Sequence, residues 1–544
     1  MKNLYTYIAI AVTAGCALLT TTSCTDFLAE KPLTRKTEDN FWNTRADAES
    51  VVNSLYFGGM PYMHNIEISG GWTPKATMWG GITSGLFIDT RKDRTFTTAS
   101  EAGTYNVEAF DGIALSLWNE LFIGIGRANY VLQNLSRTEE FLTPAEVKSY
   151  EAQAKFFRAL NNFELVKNFG DIPKVTVAFD SPEEINQPRT PAAEIYAMIE
   201  EDLLAAINSK ALQNLTFYQN KGRVTQAMAE TLLAQVYLQW AGYPVSDNSK
   251  YAKAAEMAQR VISSGVHSLE QAAGSKQGLE SAYNVLKTSK DSKEVIYAKE
   301  YNWSSHKIGN SYPSRSIGTE AFQWKDAKGN GIFHPGGDVM YNCYLPTGIL
   351  LDSYAPEDIR IQEKQLFFYE YTDDTGLEHT LGNAGNWMWF DEEALKKGQD
   401  SDYNMPMMRY AEVLLIAAEG YAKSGNEGKA REYLNQVRKR ANLAPVTSGG
   451  DQLVQAILTE RIHELPLEFR IWDDIRRTRL YPEADGMHSG TLKWTPLQQA
   501  KVQNKPAVGK TKVGGIPEYA LLWPIPRVDM QANKELKTQN PGWK

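Results

Sequence analysis

Cysteine is nearly missing from this sequence: three occur in 544 residues, at Cys16, Cys24 and Cys343. That scarcity excludes a disulfide-stapled scaffold and a cysteine-rich metal module, so stability has to come from a packed core. Histidine is also sparse, with seven residues scattered along the chain. Blocks of positive charge are missing as well. At a formal net charge of −8, nothing tracks a phosphate backbone, which excludes nucleic acid as a partner. After Leu19 no run approaches the ~18 apolar residues of a membrane-spanning helix. What is abundant instead is aromatic: 11% of the residues, including 13 Trp and 27 Tyr. Such rings suit neutral, ring-shaped ligands such as sugars, whose C–H faces stack on them. An apolar share of 42% is ample for a large core.

The N-terminus carries Lys2 and then an apolar stretch from Tyr5 to Leu19, broken only by threonines and Gly15, which is the pattern of a secretory signal. Two cysteines can end it. Cys16 follows Thr13-Ala14-Gly15 and Cys24 follows Thr21-Thr22-Ser23, so both offer the small residues that a lipoprotein peptidase needs. Cleavage at Cys16 would cut the apolar stretch in half, which favours Cys24. The alternative is an ordinary secretory peptide with neither cysteine lipidated, which would release the mature chain. Lipidation of Cys24 with more than one acyl chain gives stable anchoring. Only Cys343 then remains, so no intramolecular disulfide forms.

Residues 25–44 are polar and read as a tether. Beyond them helical periodicity dominates. Leu115, Trp118, Leu121, Phe122, Ile125, Ala128 and Leu132 recur at three- and four-residue intervals, as do Val147, Tyr150, Ala154, Phe157 and Leu160, and Met408, Ala411, Leu415, Ala418 and Ala422. Small residues recur where large ones are expected, at Ala227, Thr231, Ala234 and Ala241 and at Ala252, Ala255 and Ala258. Close helix approach of that kind predicts tetratricopeptide-like pairs: 114–134 with 144–168, 192–208 with 224–241, and 405–424 with 427–441. No exact 34-residue repeat is visible, and an irregular helical domain is the alternative. Two stretches, 58–113 and 290–404, lack the period and are rich in Gly, Pro, Ser, Thr, Asn and aromatics. Loops so long in a compact body usually serve function. Glu294–Ala298 reads as a short strand at the entry of the second.

Motifs for catalysis fail on inspection. Gly124-Ile125-Gly126 lacks the third glycine and the preceding strand of a dinucleotide fingerprint. His463-Glu464 has no second histidine four residues on. In Asp326-Ala327-Lys328-Gly329-Asn330-Gly331, Lys328 occupies what would be a calcium-ligand position, so the segment reads as a turn. Asp373-Asp374-Thr375-Gly376 is likewise a turn, and Asp473-Asp474 on a helix do not face a common point. The run from Glu460-Arg461 to Arg476-Arg477 alternates sign at helical spacing and predicts an ion-paired, solvated helix pair.

Several of these segments share an order and spacing with a known family. Cys24-Thr25-Asp26-Phe27-Leu28 is followed by Pro32 and Phe41-Trp42, then Trp118, Arg127-Ala128-Asn129 and Leu132. Glu151 to Ala159 (EAQAKFFRA) leads to Phe169-Gly170-Asp171-Ile172-Pro173. Gly222-Arg223-Val224, Arg409 to Leu415 (RYAEVLL) with Glu419, Leu434 to Ala441 (LNQVRKRA), Pro524-Ile525-Pro526 and Gln539-Asn540-Pro541-Gly542-Trp543 complete the set. Together they resemble the SusD/RagB family of outer-membrane nutrient-binding lipoproteins over nearly the whole chain. The opening motif supports Cys24 over Cys16. One departure stands out: Phe469 replaces the family's usual glycine after Glu468, and Arg470 sits one place early, which leaves the packing around the last helix open.

The resemblance implies a mainly α, SusD-like fold, with four tetratricopeptide-like helix pairs as scaffold and a loop-rich, short-strand region carrying the ligand site. It implies a SusC-like TonB-dependent transporter as partner, over which the lipoprotein sits as a lid and hands on oligosaccharide. It also implies an outer-membrane, lipid-anchored placement facing the exterior, with no catalysis, cofactor or metal. The expected organisation is a signal peptide over 1–23, lipidated Cys24 and tether over 24–44, an N-terminal helical region over 45–289, the ligand-binding region over 290–404 and a C-terminal helical region over 405–544.

Family sites are built from loop aromatics whose positions vary, so no motif carries them over. Loop placement selects Trp72, Trp79, Trp303, Tyr312, Trp324 and Tyr341 for stacking, and Arg91 and Arg315 for hydrogen bonds to hydroxyls. For each tryptophan the alternative is burial in the loop region's own small core. Trp118, Trp240 and Trp472 lie on helical stripes and are expected in the core. Two rival functions are a structural lid or peptide-capturing protein with little glycan affinity, and an anchored glycosidase.

Overall fold

The computed structural model describes residues 41–57, 80–88, 107–179, 181–334, 344–504 and 512–543. Trp72, Trp79, Arg91, Tyr341, Cys16, Cys24 and most of the expected tether lie outside the described residues. The fold is mainly α.

The chain first lays down six helices: α1 (Arg45–Phe57), α2 (Val107–Asn134), α3 (Pro144–Phe169), α4 (Ala192–Asn208), α5 (Gln226–Trp240) and α6 (Lys250–Ser263). Their ends are written in local chemistry. The Thr143 hydroxyl accepts from the Glu146 N–H, the Glu146 carboxylate accepts from the Thr143 N–H, and Pro144 takes the first helical position, which together start α3. Gly170, at φ +70°, stops it. Each helix packs on the next, α2 on α3, α3 on α4, α4 on α5 and α5 on α6. Arg158 of α3 ties three of them by donating to Asp202 of α4 at 2.6 and 2.7 Å and to Asn129 of α2 at 2.9 Å. The glycine of Gly124-Ile125-Gly126 has a packing reason. A Cβ on Gly124 would lie 2.5 Å from the Asn161 side chain, so α2 and α3 meet there backbone to side chain.

After Ser263 the chain leaves the helical array. It forms α7 (Ala282–Thr288), β1 (Val295–Lys299), α8 (Trp303–His306) and a hairpin of β2 (Phe367–Thr372) with β3 (Glu378–Asn386). The segments Asp326–Asn330 and Asp373–Leu377 are turns in which each aspartate accepts backbone N–H groups. β4 (Met405–Arg409) returns antiparallel to β1, pairing Lys299 with Met405 and Val295 with Arg409. The helix expected from residue 405 therefore starts at Tyr410. Pro406 has no N–H and pushes Met405 to an extended backbone, which suits a strand.

Then α9 (Tyr410–Lys423) rejoins the array, followed by α10 (Glu427–Arg440), α11 (Gly450–Glu464), α12 (Ile471–Thr478) and a hairpin of β5 (Leu480–Ala484) with β6 (Leu492–Pro496). The partner of α6 is α9, across the whole inserted region. A Cβ on Gly420 would lie 2.6 Å from the Tyr251 carbonyl oxygen and 2.9 Å from Ala255 Cβ, so the two backbones nearly touch. The buried stripe of α6 is Ala254, Ala255 and Ala258, with Ala252 exposed, one position off the predicted stripe.

One apolar core runs through the array and includes Trp118, Trp240 and Trp472. A second, smaller one sits in the inserted region around Ile317, Phe333, Phe368, Tyr371 and Phe390. The C-terminal Gln539–Trp543 motif docks on the Phe169-Gly170 motif. Asn540 donates to the Phe169 carbonyl at 2.9 Å and the Trp523 carbonyl at 2.7 Å, and Trp543 donates to the Leu522 carbonyl. Among the described residues no helix is long and apolar enough to cross a membrane.

The charged run from residue 460 to 477 departs from expectation, because it is buried rather than solvated. Arg360 donates to Asp358 at 2.7 Å, Glu460 at 2.7 Å and Glu464 at 3.2 Å. Arg409 reaches Glu294 at 2.6 Å and Glu464 at 3.0 Å, and Arg440 pairs with the same two carboxylates. Arg477 forks onto Glu419 at 2.5 and 2.7 Å while Arg461 holds Asp474 at 2.8 Å. Periodicity registers that these charges share helix faces, but the partners come from distant segments, which periodicity does not register. Such a network fixes how the inserted region sits on the helices, since each charge is tolerable inside only with its partner in place.

Candidate functional site

A cavity of about 80 Å³ opens where the inserted region meets the C-terminal helices. Its floor is Arg409, Glu464 and Glu468 of the buried network. Burial alone would raise the Glu464 carboxyl, but Arg440, Arg409 and Arg360 outweigh it and hold it at about 2. Arg409 is fully engaged by Glu294, Glu464 and Glu468. The walls are Tyr218, Trp389 and Tyr403, and Thr288 and Lys290 reach solvent at the rim.

Local structure places each wall. The Ser281 hydroxyl caps α7 by accepting from the Asn284 N–H, and Lys287 projects from the last turn into the cavity. Asn284 accepts from Trp387 Nε1 at 2.7 Å, fixing that ring beneath the Lys287 ammonium, 3.7 Å from the ring centroid. Burial pushes Lys287 down to about 7; Asp391 opposes this and Lys364 adds to it.

The segment 401–404 forms one rim and is stitched to the Trp303 segment. Asp402 accepts from the Ser304 N–H at 3.1 Å and from its hydroxyl, Asn404 accepts from the Tyr301 N–H at 3.0 Å, and Asn310 donates to the Tyr403 carbonyl at 2.9 Å. Trp303 therefore lies on a segment bonded to the cavity rim, without lining the cavity itself. It is half-buried, with its edge on Gly309, where a Cβ would come within 2.9 Å of the ring, and with Lys307 Nζ 5.1 Å from its centroid.

The other expected residues are placed differently. Tyr312 is fully buried, 4.7 Å from Trp389 and 5.9 Å from Phe469 by ring centroid, so it packs among rings rather than facing solvent. Arg315 is also buried and donates to the Ser311 carbonyl and hydroxyl. These two are corrected from ligand contacts to supports of the loop region. The cause is a one-turn 3₁₀ helix, Tyr312–Arg315, that turns both side chains inward. Trp324 is half-buried in the smaller core, stacked at 4.8 Å on His379, which in turn meets Asp373 at 3.1 Å. It stands apart from the cavity. Sequence reasoning overlooked Lys287, Trp387 and Tyr403. The Trp387-Met388-Trp389 cluster met the loop-aromatic criterion, but nothing in the sequence marks Lys287. Among the described residues no three His, Cys, Asp or Glu side chains gather to hold a metal ion.

Residues 26–238 match the family model described as "Starch-binding associating with outer membrane", and residues 361–543 match the model of the SusD family. The chain belongs to the SusD-like family. Its curated relatives include SusD-like protein P2 of Formosa agariphila, 26% identical over 97% of this chain and 98% of the relative. A crystallised SusD superfamily protein from Parabacteroides distasonis, 27% identical, superposes with a TM-score of 0.75 over 94% of this chain and 100% of that one. Surface glycan-binding protein A from Bacteroides thetaiotaomicron, in complex with laminarihexaose, shares the SusD-like fold at 19% identity, with a TM-score of 0.68 over 91% of this chain and 99% of that one. Phe469, where the family resemblance leads one to expect glycine, takes φ +60°, a backbone that glycine adopts without strain.

Proposed function

We propose that this SusD-like chain is a non-catalytic glycan-capture lipoprotein, anchored through Cys24 on the outer face of the outer membrane. In this reading it presents oligosaccharide to a SusC-like TonB-dependent transporter. The observation that supports it is Trp303, half-exposed on a segment bonded to the rim of a cavity whose walls are aromatic, in a chain of a family with sugar-binding members. A ring so placed stacks on a sugar face at a gain of about 1 kcal/mol. Trp72, Trp79, Arg91 and Tyr341 are proposed to complete the binding surface.

Calorimetric titration of the protein with a panel of neutral and acidic oligosaccharides, laminarihexaose among them, tests the reading. Binding of one glycan class is expected, with Trp303→Ala weakening it about fivefold at unchanged thermal stability. No binding across the panel, or sustained release of reducing ends, would overturn it. Cys24→Ala is expected to move the protein from the membrane fraction to the soluble fraction.

A further inference from the structure

Lys287 lines the cavity, and the Asp391 carboxylate acts on it only from beyond ion-pair distance. Its ammonium sits among three rings, 3.7 Å from Trp387, 5.8 Å from Tyr403 and 6.0 Å from Phe390 by centroid. Among the described residues it forms neither a hydrogen bond nor an ion pair. The charged groups around it are otherwise occupied. Asp391, ahead of the short helix Glu392–Lys397, accepts from the Ala394 N–H at 3.2 Å and the Ser401 hydroxyl at 2.5 Å. Asp402 on the rim is held by Ser304, and Glu464 and Glu468 on the floor are held by Arg409. Lys364 lies over the same Trp387 ring at 5.7 Å and adds like charge, as does Lys290 at the rim.

A half-buried ammonium in direct contact with ring faces alone gains from an anion that enters beside it, because cation–π attraction does not replace its lost hydration. The cavity is sized for an arm of a ligand rather than for a whole sugar residue. Its rim residues Asp402 and Asn404 are bonded to the Trp303 segment, which offers a ring for a sugar face beside the opening. We propose that the cavity takes the carboxylate of an acidic sugar, a hexuronate residue, with Lys287 as its counter-ion. This specificity rests on the glycan-capture reading above and adds charge to it. The lowered proton affinity of Lys287 gives the pH signature. Below about 7 the free site is ammonium and binds the anion directly, whereas above it binding must take up a proton, so affinity falls as pH rises.

The test is calorimetric titration of the full-length protein with glucuronate and with glucose, the same ring without the carboxylate. Glucuronate is expected to bind at pH 6 about tenfold more tightly than at pH 8, and more tightly than glucose at pH 6. Lys287→Met is expected to remove that preference and its pH dependence. Should the variant fold poorly, NMR titration of labelled lysine in the unaltered protein gives a second readout: saturating glucuronate is expected to raise the Lys287 pKa. Equal affinity for the two sugars, a flat pH profile, or a Lys287 pKa unmoved by glucuronate would each overturn the proposal. Neutral oligosaccharides binding while glucuronate gains nothing would sink the charge specificity and leave glycan capture standing.

Discussion

Phe469 adopts a left-handed backbone, φ +60°, and lays its ring 5.7 Å from that of Trp389, the indole that walls the cavity. A bulky residue at positive φ costs about 1–2 kcal/mol, and the ring repays it through contacts with Trp389, Tyr312 and Tyr344. Two substitutions separate these effects. Phe469→Ala loses the ring and keeps the strain, while Phe469→Gly loses the ring and relieves it. Both should be destabilised, with Gly the more stable by about 1 kcal/mol, against the usual order of these residues. Urea denaturation measures the gap, and Ala more stable than Gly would show that the backbone there is unstrained.

Gly420 is expected to tolerate no side chain. Its Cβ position is 2.6 Å from a backbone oxygen of α6, so Gly420→Ala must push α6 from α9. A loss of about 1–3 kcal/mol is expected in thermal or chemical unfolding. The helix-propensity gain of alanine, about 1 kcal/mol, would dominate only if that contact did not exist.

Removing one member of the buried ion network should cost far more than a surface pair. Arg360→Met leaves buried Asp358 without an ion pair and takes one cation from Glu460 and Glu464. A loss of about 3–5 kcal/mol is expected, and a loss under 1 kcal/mol would indicate water reaching those carboxylates.

Acid should weaken the fold in two stages. His463 is buried, stacked 4.1 Å from Tyr354 and bonded to Ser353, and burial, with Arg360 and Arg438 nearby, holds its pKa well below 6.5. The unfolded chain takes up that proton below about pH 6.5 and the folded one does not, so stability falls as pH drops below 6.5. Glu464, held at about 2 against an ordinary 4.5, contributes stability that is complete above 4.5 and is lost as pH falls from there toward 2. Unfolding free energies between pH 8 and pH 3 should show both slopes, and His463→Gln should remove the first.

Trp303 and Trp324, equivalent in the sequence, should part company on mutation. Trp303→Ala is expected to cost binding, and Trp324→Ala to cost stability through the smaller core it shares with Phe333 and Tyr371. Glycan titration alongside thermal melts distinguishes the two, and the reverse pattern would exchange their roles.

The helices were legible because apolar period and capping chemistry are local: Thr143-Pro144 with Glu146 and the stripe through Trp118 both lie within a few turns. The partner of α6 was not, since nothing in residues 250–263 names a helix starting at 410. The same holds for the site. Tyr312 and Arg315 sit in a polar, loop-like stretch, yet a single 3₁₀ turn aims them inward. Lys287 lies on an ordinary short helix, and only the meeting of residues 387, 390 and 403 makes its position unusual.

The pairing of α6 with α9 also bears on how the chain is made. In vectorial synthesis α6 emerges about 150 residues before its cover, a wait of roughly eight to thirty seconds at ordinary elongation rates. Through that interval the Ala254–Ala258 face has no native neighbour on one side. The N-terminal helices therefore do not form a finished unit by themselves. A chain truncated before Tyr410 leaves that face without its cover.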